Sequence, residues 1–424
     1  MRRIFVALSV AASLHATTLN ELFDALKQHS VTKVDEMQVQ NAKVAKETVR
    51  SKLYPKIDLF AKYDHYSDPT GMVPVPPNTL FPMIQDQSIA QPFSRNVLRE
   101  GASFSMPLFV KSIYTLGEKA EAMHKSAEAK KKINLIKNEA LIVGANANLL
   151  YLTQLEKSLS TKERSLRETQ KTLKIKVENG RTPESALYKI DDALNQINIT
   201  KNAIALQKEQ VVSSIRTLTG ITLKEPVKMP EASVAINTQK VRSLEPLELK
   251  LQAQLREMQA KKERLYPSVV AYGNYSFSQA KAYNNDKHVH EKYGNIGVVF
   301  NLPLFAMDDY KEIQKAKVEY KKEEIQLQKQ KDELLSKAQM LQNSLPLLEN
   351  SIKLSKKSIE NKKRLLEIAK VNYNSGRLST EEYLRYEDEQ VSAKAALYKA
   401  KAQKWQTLMQ LCVIYGNNIE EIIQ

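Results

Sequence analysis

The sequence predicts a mainly α chain with a membrane β-barrel portion, an internally duplicated subunit of four β-strands plus long antiparallel helices. Two observations carry this. First, landmarks repeat in order: Leu53-Tyr54-Pro55 returns as Leu265-Tyr266-Pro267, 212 residues later, and Pro107-Leu108-Phe109 returns as Pro303-Leu304-Phe305, 196 residues later. Gly180-Arg181 returns as Gly376-Arg377, and Gly220 falls beside Gly416, again 196 residues on. Second, each half runs through the same patterns, from helix to two alternating strands to a long helix, a glycine turn and a shorter helix. The composition agrees, because only 11 Gly and 15 Pro interrupt 424 residues rich in Lys, Glu, Gln, Leu and Ala.

Residues 1–16 read as a secretory signal: Arg2-Arg3, an apolar run from Ile4 to Ala12, then Ser13-Leu14-His15-Ala16. A plain N-terminal helix is the competing reading. No Cys lies near the cleavage point, and the one Cys, Cys412, among Leu411, Val413 and Ile414, reads as a buried small hydrophobe. After residue 16 there is no run of 18 apolar residues, hence no transmembrane helix.

The first repeat (17–220) opens with a helix from Leu19 to Leu53, stopped by Tyr54-Pro55. Strands follow at about 55–67 and 97–109. In the first, Ile57, Leu59, Ala61 and Tyr63 alternate with Lys56, Asp58, Lys62 and Asp64; in the second, Ala102, Phe104, Met106 and Leu108 alternate with Gly101, Ser103 and Ser105. The loop between them, Ser67 to Asn96, carries six prolines and is expected to be non-helical. Then come a helix of 65–70 residues, a turn at 179–183 and a helix of about 35. Residues 221–243 form a linker. The second repeat (244–419) has a helix from Leu244 to Leu265, strands at about 267–279 and 293–305 around a short polar loop (Gln279 to Lys292), and a helix pair turning at 375–379; 420–424 is a tail. The long helices reach about 100 Å at 1.5 Å per residue. Ala140, Gly144, Ala145 and Ala147, and Ala393, Ala395, Ala396, Ala400 and Ala402, suit close helix contacts.

Four strands cannot close a transmembrane barrel, whose smallest common form has eight. Open sheet edges cannot face hydrocarbon, because their unpaired N–H and C=O groups would lack partners. A subunit with four membrane strands must share a barrel with copies of itself, two copies giving eight strands and three giving twelve. Tyr63, Tyr66, Tyr272, Tyr275, Tyr283 and Tyr293 stand where an aromatic girdle would sit, with core packing as the competing reading for some of them.

The order strand, strand, long helix, glycine turn, helix, written twice behind a signal peptide, resembles the TolC-like outer-membrane efflux protein family over Thr17 to about Ile419. The two Leu-Tyr-Pro and Pro-Leu-Phe motifs and the turns Asn179-Gly180-Arg181 and Ser375-Gly376-Arg377 carry it. The resemblance implies a homotrimer with a twelve-stranded barrel over an α-helical barrel, placed in the cell outer membrane with a long periplasmic extension. It implies a passive exit duct of a tripartite efflux or type I secretion system, whose partners are a periplasmic adaptor, an inner-membrane pump or ABC exporter, and outer-membrane lipid. It also makes Gly180, Arg181, Thr182, Gly376, Arg377, Leu378 and Ser379 candidate adaptor-docking residues. Glu382 takes the position of a first acidic ring at the periplasmic entrance, and Arg385 stands where a second acid is expected. Glu387 and Asp388 follow. Turn and cap chemistry alone is the plainer reading of the tips, with Ser379-Thr380-Glu381-Glu382 as a capping box, and a solvated helix face is the plainer reading of the four charged residues.

No catalytic constellation, phosphate loop, cofactor motif or metal set is present. His288 and His290 are spaced like strand ligands but lack further ligand residues and read as loop. The net charge of +16 raises nucleic acid as a partner, but the runs Lys130 to Lys132, Lys261-Lys262 and Lys362 to Arg364 lack interleaved aromatics and read as solvated helix faces. The rival to a duct is a periplasmic or surface coiled-coil protein of structural or adhesive role.

Overall fold

The computed structural model describes residues 17–230 and 236–423, so the signal-peptide reading lies outside the described residues. In chain order the elements are α1 (Leu19–Gln28), α2 (Ser30–Ser51), β1 (Lys56–Gly71), α3 (Pro77–Gln85), β2 (Phe93–Phe109), α4 (Lys111–Glu178), α5 (Ser185–Thr219), α6 (Glu245–Glu263), β3 (Ser268–Lys281), β4 (His288–Asn301), α7 (Met307–Asn374), α8 (Thr380–Tyr415) and α9 (Ile419–Ile423). The offset seen in the sequence is kept in the elements: α4 and α7 each have 68 residues and start and stop 196 positions apart. The glycines that cap α5 and α8, Gly220 and Gly416, are both left-handed. Among the described residues no helix is long and apolar enough to cross a membrane.

The chain forms two compact units. One comprises Val39–Ala127 and Leu247–Leu327 and holds one antiparallel sheet in the order β1-β2-β3-β4. Its register puts Ile57, Phe104, Gly273 and Ile296 in one row, and Leu59, Ala102, Tyr275 and Gly294 in the next, all on one face. Much of that face is exposed, with Leu59 84% and Ile296 81% accessible. The other face carries Asp58, Ser103, Asn274 and Asn295 in register. Aromatic rings cover glycines on their neighbours: a Cβ on Gly273 would lie 2.2 Å from the Phe104 ring, and one on Gly297 would lie 2.8 Å from the Tyr272 ring. Ion pairs then link the helices joined to the strands in the same order as the strands. Lys46 bonds Glu121 (2.7 Å, α2 to α4), Arg256 bonds Glu118 (3.1 Å, α6 to α4) and Lys250 bonds Glu323 (2.9 Å, α6 to α7). The strand layer is thus continued by a helix layer of the same sequence.

Several sequence expectations are corrected in this unit. The proline-rich loop does contain a helix, α3. Pro77 sits at the first helical position, where no N–H is needed, and only Pro82 forfeits a ladder bond. Residues flanking α3 fold over the polar face, burying Met72 with Val97, Ala282 and Val289; Tyr66 packs there rather than in a girdle. Tyr272 and Tyr293 also lie on the polar face, opposite Gly297 and Ser276. The second hairpin is tighter than expected: β3 and β4 pair up to Lys281 and His288, so His288 and His290 belong to a strand and not a loop. Conversely β4 ends at Asn301, opposite the first residue of β3, leaving Pro303-Leu304-Phe305 outside, whereas Phe109 still pairs with Val269.

The other unit comprises the described residues of Met1–Gln38, Glu128–Pro246 and Gln328–Gln424. The expected helix from Leu19 to Leu53 is broken at His29, whose backbone is extended. Its N–H turns back to the Leu26 carbonyl, which also accepts the Thr32 hydroxyl at 2.7 Å. Leu22, Phe23, Ile142, Val143, Ile215, Trp405, Met409 and Cys412 form one core, in which the Cys412 thiol is fully buried. A second core is a heptad seam: Leu152, Leu159, Leu166 and Leu173 on α4 meet Ile190, Ile197 and Ile204 on α5. The linker is tied down by Asn146, whose amide donates to the Val227 carbonyl and accepts its N–H, both at 2.9 Å.

Candidate functional site

The two glycine turns are built alike. At the first, Gly180 (φ 70°) donates to the Val177 carbonyl and Arg181 to the Lys176 carbonyl, each at 2.9 Å. At the second, Gly376 (φ 76°) donates to Tyr373 at 3.1 Å and Arg377 to Asn372 at 2.9 Å. These paired bonds satisfy the last carbonyls of α4 and α7 and require a left-handed residue. A Cβ on either glycine would meet no atom within 4 Å, so conformation and not space selects glycine. Gly180, Arg181, Gly376, Arg377 and Ser379 are exposed and Thr182 is half-buried. Leu378 is also half-buried, packed on the heptad core.

The start of α8 is a complete capping box. The Ser379 hydroxyl accepts the Glu382 N–H at 3.2 Å, and the Glu382 carboxylate accepts the Ser379 N–H at 3.0 Å. These hydrogen bonds hold the Glu382 carboxyl below the usual carboxylate range, so it is ionised at the exposed first turn. Arg385, one turn on, is 65% exposed, lies 4.0 Å from Glu389 and rests over the Tyr386 ring. Asp388 is exposed and pairs with Lys162. Glu387 departs from the solvated-face reading. It is 4% exposed and accepts hydrogen bonds from the Tyr383 hydroxyl (2.7 Å) and the Ser165 hydroxyl (2.6 Å).

Sequence reasoning missed Tyr383. It is fully buried, its ring stacks on Tyr373 at 4.8 Å, and burial pushes its hydroxyl up to about 12. With Ser165 and Glu387 it forms a closed polar knot between α4 and α8. The available signal was two tyrosines ten residues apart on either side of a glycine turn.

The two turns are neighbours, since Lys189 near the start of α5 bonds Glu381 at 3.0 Å. Beside them α5, α7 and α8 enclose a cleft of about 1220 Å³ with a mixed-charge lining that includes Asp192, Lys362, Glu382, Arg385 and Glu389. Lys362 bonds Glu389 at 2.6 Å across it. The cleft offers charged recognition.

Residues 238–417 match the family model described as outer membrane efflux protein. The match lies within the second half of the chain. The outer membrane efflux protein fold extends to the first half, as solved structures show. The CmeC outer membrane channel of Campylobacter jejuni superposes with a TM-score of 0.79 at 19% identity, covering 94% of this chain and 85% of that one. VceC of Vibrio cholerae gives 0.76 at 15% identity over 94% and 96%, and the open state of the Neisseria gonorrhoeae MtrE channel gives 0.74 at 15% identity over 96% and 90%. No curated protein matches the chain in sequence.

Proposed function

We propose that three copies of this chain close their sheets into one twelve-stranded barrel, continued into the periplasm by a helical tunnel. That assembly serves as the passive exit duct of a tripartite efflux or type I secretion system. The observation that supports it best is the four-stranded sheet with one apolar and one polar face and two unpaired edges, β1 and β4. Hydrocarbon would leave the backbone groups of those edges without partners, and pairing β4 of one copy with β1 of the next removes both edges. The apolar face then meets lipid and the polar face lines the lumen.

In this reading the turn residues Gly180, Arg181, Thr182, Gly376, Arg377, Leu378 and Ser379 form the tips on which a periplasmic adaptor docks, and an inner-membrane pump or ABC exporter supplies the energy. Glu382 and Arg385 project at the entrance as a ring of mixed charge. Rings of charge set selectivity where they line a constriction. Replacing Glu382 with alanine is expected to reduce cation block and cation selectivity in single-channel recordings. It also removes half of the capping box and so weakens the start of α8. Glu382→Gln separates the two effects, because the amide oxygen still accepts the Ser379 N–H while the ring charge is lost. Unchanged conductance and block in both variants would take Glu382 out of the entrance. In cells, a deletion strain that gains no sensitivity to dyes, detergents or antibiotics would count against drug efflux and favour protein export.

A further inference from the structure

The apolar sheet face changes character toward the hairpin tips, the end opposite the strand–helix junctions. Beyond the rows of Ile57 and Leu59, the same face carries Lys292, His290 and His288 at alternate positions of β4, with Lys281 directly across from His288. All four are exposed. Same-face residues on a strand stand about 7 Å apart, so these side chains form one continuous strip. Alternation separates the charges: Glu291 points to the polar face while its neighbours Lys292 and His290 point to the apolar one. The carboxylate nearby on the apolar face, Glu100, accepts the Gln279 amide at 3.4 Å. The rings are also set. His290 stacks on Phe277 at 5.7 Å with an interplanar angle of 5°, and on β1 His65 shares a 2.6 Å hydrogen bond with Asn96.

We propose that this strip binds the phosphate groups of the phosphorylated glycolipid in the outer leaflet. The inference rests on the barrel reading above, in which the hairpin tips face the cell exterior and the apolar rows face acyl chains. Cations placed directly above an acyl-chain surface, on the face that points to lipid, meet headgroups and not lumen solvent. The ammonium groups of Lys281 and Lys292 supply charge, and the imidazoles add donors to phosphate oxygens. Because β4 is an edge strand, pairing it with β1 of the neighbouring copy brings that copy's His65 to the same rim, so each headgroup site lies at a subunit seam. Guarding of a bare edge also uses lysine, but it does not account for Lys281, which lies on the inner strand β3.

The test is titration of the purified full-length oligomer in zwitterionic detergent with diphosphorylated lipid A, read by native mass spectrometry. Dephosphorylated lipid A and phosphatidylglycerol serve as comparators. The combined variant Lys281→Gln, His288→Gln, His290→Gln, Lys292→Gln is expected to bind the diphosphorylated lipid at least tenfold more weakly, at about fivefold per lysine. Dephosphorylation should weaken wild-type binding to a similar degree. Equal binding by the variant, no preference for the phosphorylated lipid, or equally tight binding of phosphatidylglycerol would each overturn the proposal. Oligomer mass and channel conductance, followed in parallel, should be unchanged in the variant. Their absence in the wild-type protein would refute the barrel reading and this proposal with it.

Discussion

Tyr383→Ala is expected to destabilise the turn-proximal part of the helical unit by about 3–5 kcal/mol, the range for deleting a fully buried aromatic side chain. The loss has two parts. The ring fills space beside Tyr373 and the heptad core, and the hydroxyl is one of two donors to the buried Glu387 carboxylate. Tyr383→Phe removes only the hydroxyl and should cost about 1–3 kcal/mol, because Ser165 still donates to Glu387. Hydrogen exchange measures both effects. Amides around Ser165 and through the first three turns of α8 should lose protection in the alanine variant, far less in the phenylalanine one. Since α8 also carries Glu382 and Arg385, single-channel conductance should rise with the loosening. Equal protection in the two variants would mean that the packing around the ring does not hold this end together.

The second large effect concerns Glu139 on α4, which is only 2% exposed. Burial, and then the nearby Glu420 carboxylate, push its pKa from 4.5 to about 7, against the pull of Lys27. Lys27 itself is bonded to Glu420. In the unfolded chain the carboxyl gives up its proton near its ordinary value, whereas the folded chain keeps it to about 7. The folded state is therefore favoured at low pH, and this contribution is lost as pH rises through the interval from 4.5 to about 7. At about 1.4 kcal/mol per pH unit, the cost above that interval approaches about 3 kcal/mol. Glu139→Gln should thus stabilise the protein above neutrality by up to that amount and match wild type at about pH 4. Unfolding midpoints measured across this range check it, and a pH-independent difference would show that Glu139 does not titrate in the folded protein.

The architecture was largely legible in the sequence because duplication leaves arithmetic behind. The 196-residue offset between Pro107 and Pro303 reappears as the matched limits of α4 and α7. Period-two alternation located all four strands, but their ends depend on which neighbour continues the ladder, which no single strand records. Phe109 is paired because a register shift sets it beside Val269 of β3, and Phe305 is not, because β3 begins at Ser268, opposite Asn301. Proline misled at α3, where the position within the helix decides the cost and the count of prolines does not. At the break between α1 and α2 the Thr32 hydroxyl donates to the Leu26 carbonyl, a side-chain hydrogen bond that helix propensity does not register. The heptad Leu152, Leu159, Leu166 and Leu173 was a readable signal for the α4–α5 seam.

At the site, local rules held where the chemistry is local. Ser379 and Glu382 lie three residues apart, and their capping box follows from that spacing. Glu387 was misread because its burial depends on Ser165, more than 200 residues away in the chain. Charge alone does not tell a carboxylate on a wet face from one buried under a tyrosine.

With two open sheet edges, this chain should be stable in a membrane only as a shared barrel. The most direct measurement is electrophoresis of unboiled and boiled outer-membrane fractions, with the unboiled species cut out and inserted into a planar bilayer. A shared barrel should run as a detergent-resistant species of three copies that falls to a single chain only on boiling and that conducts. A monomer released into the soluble fraction by osmotic shock, or a membrane species that neither oligomerises nor conducts, would contradict it.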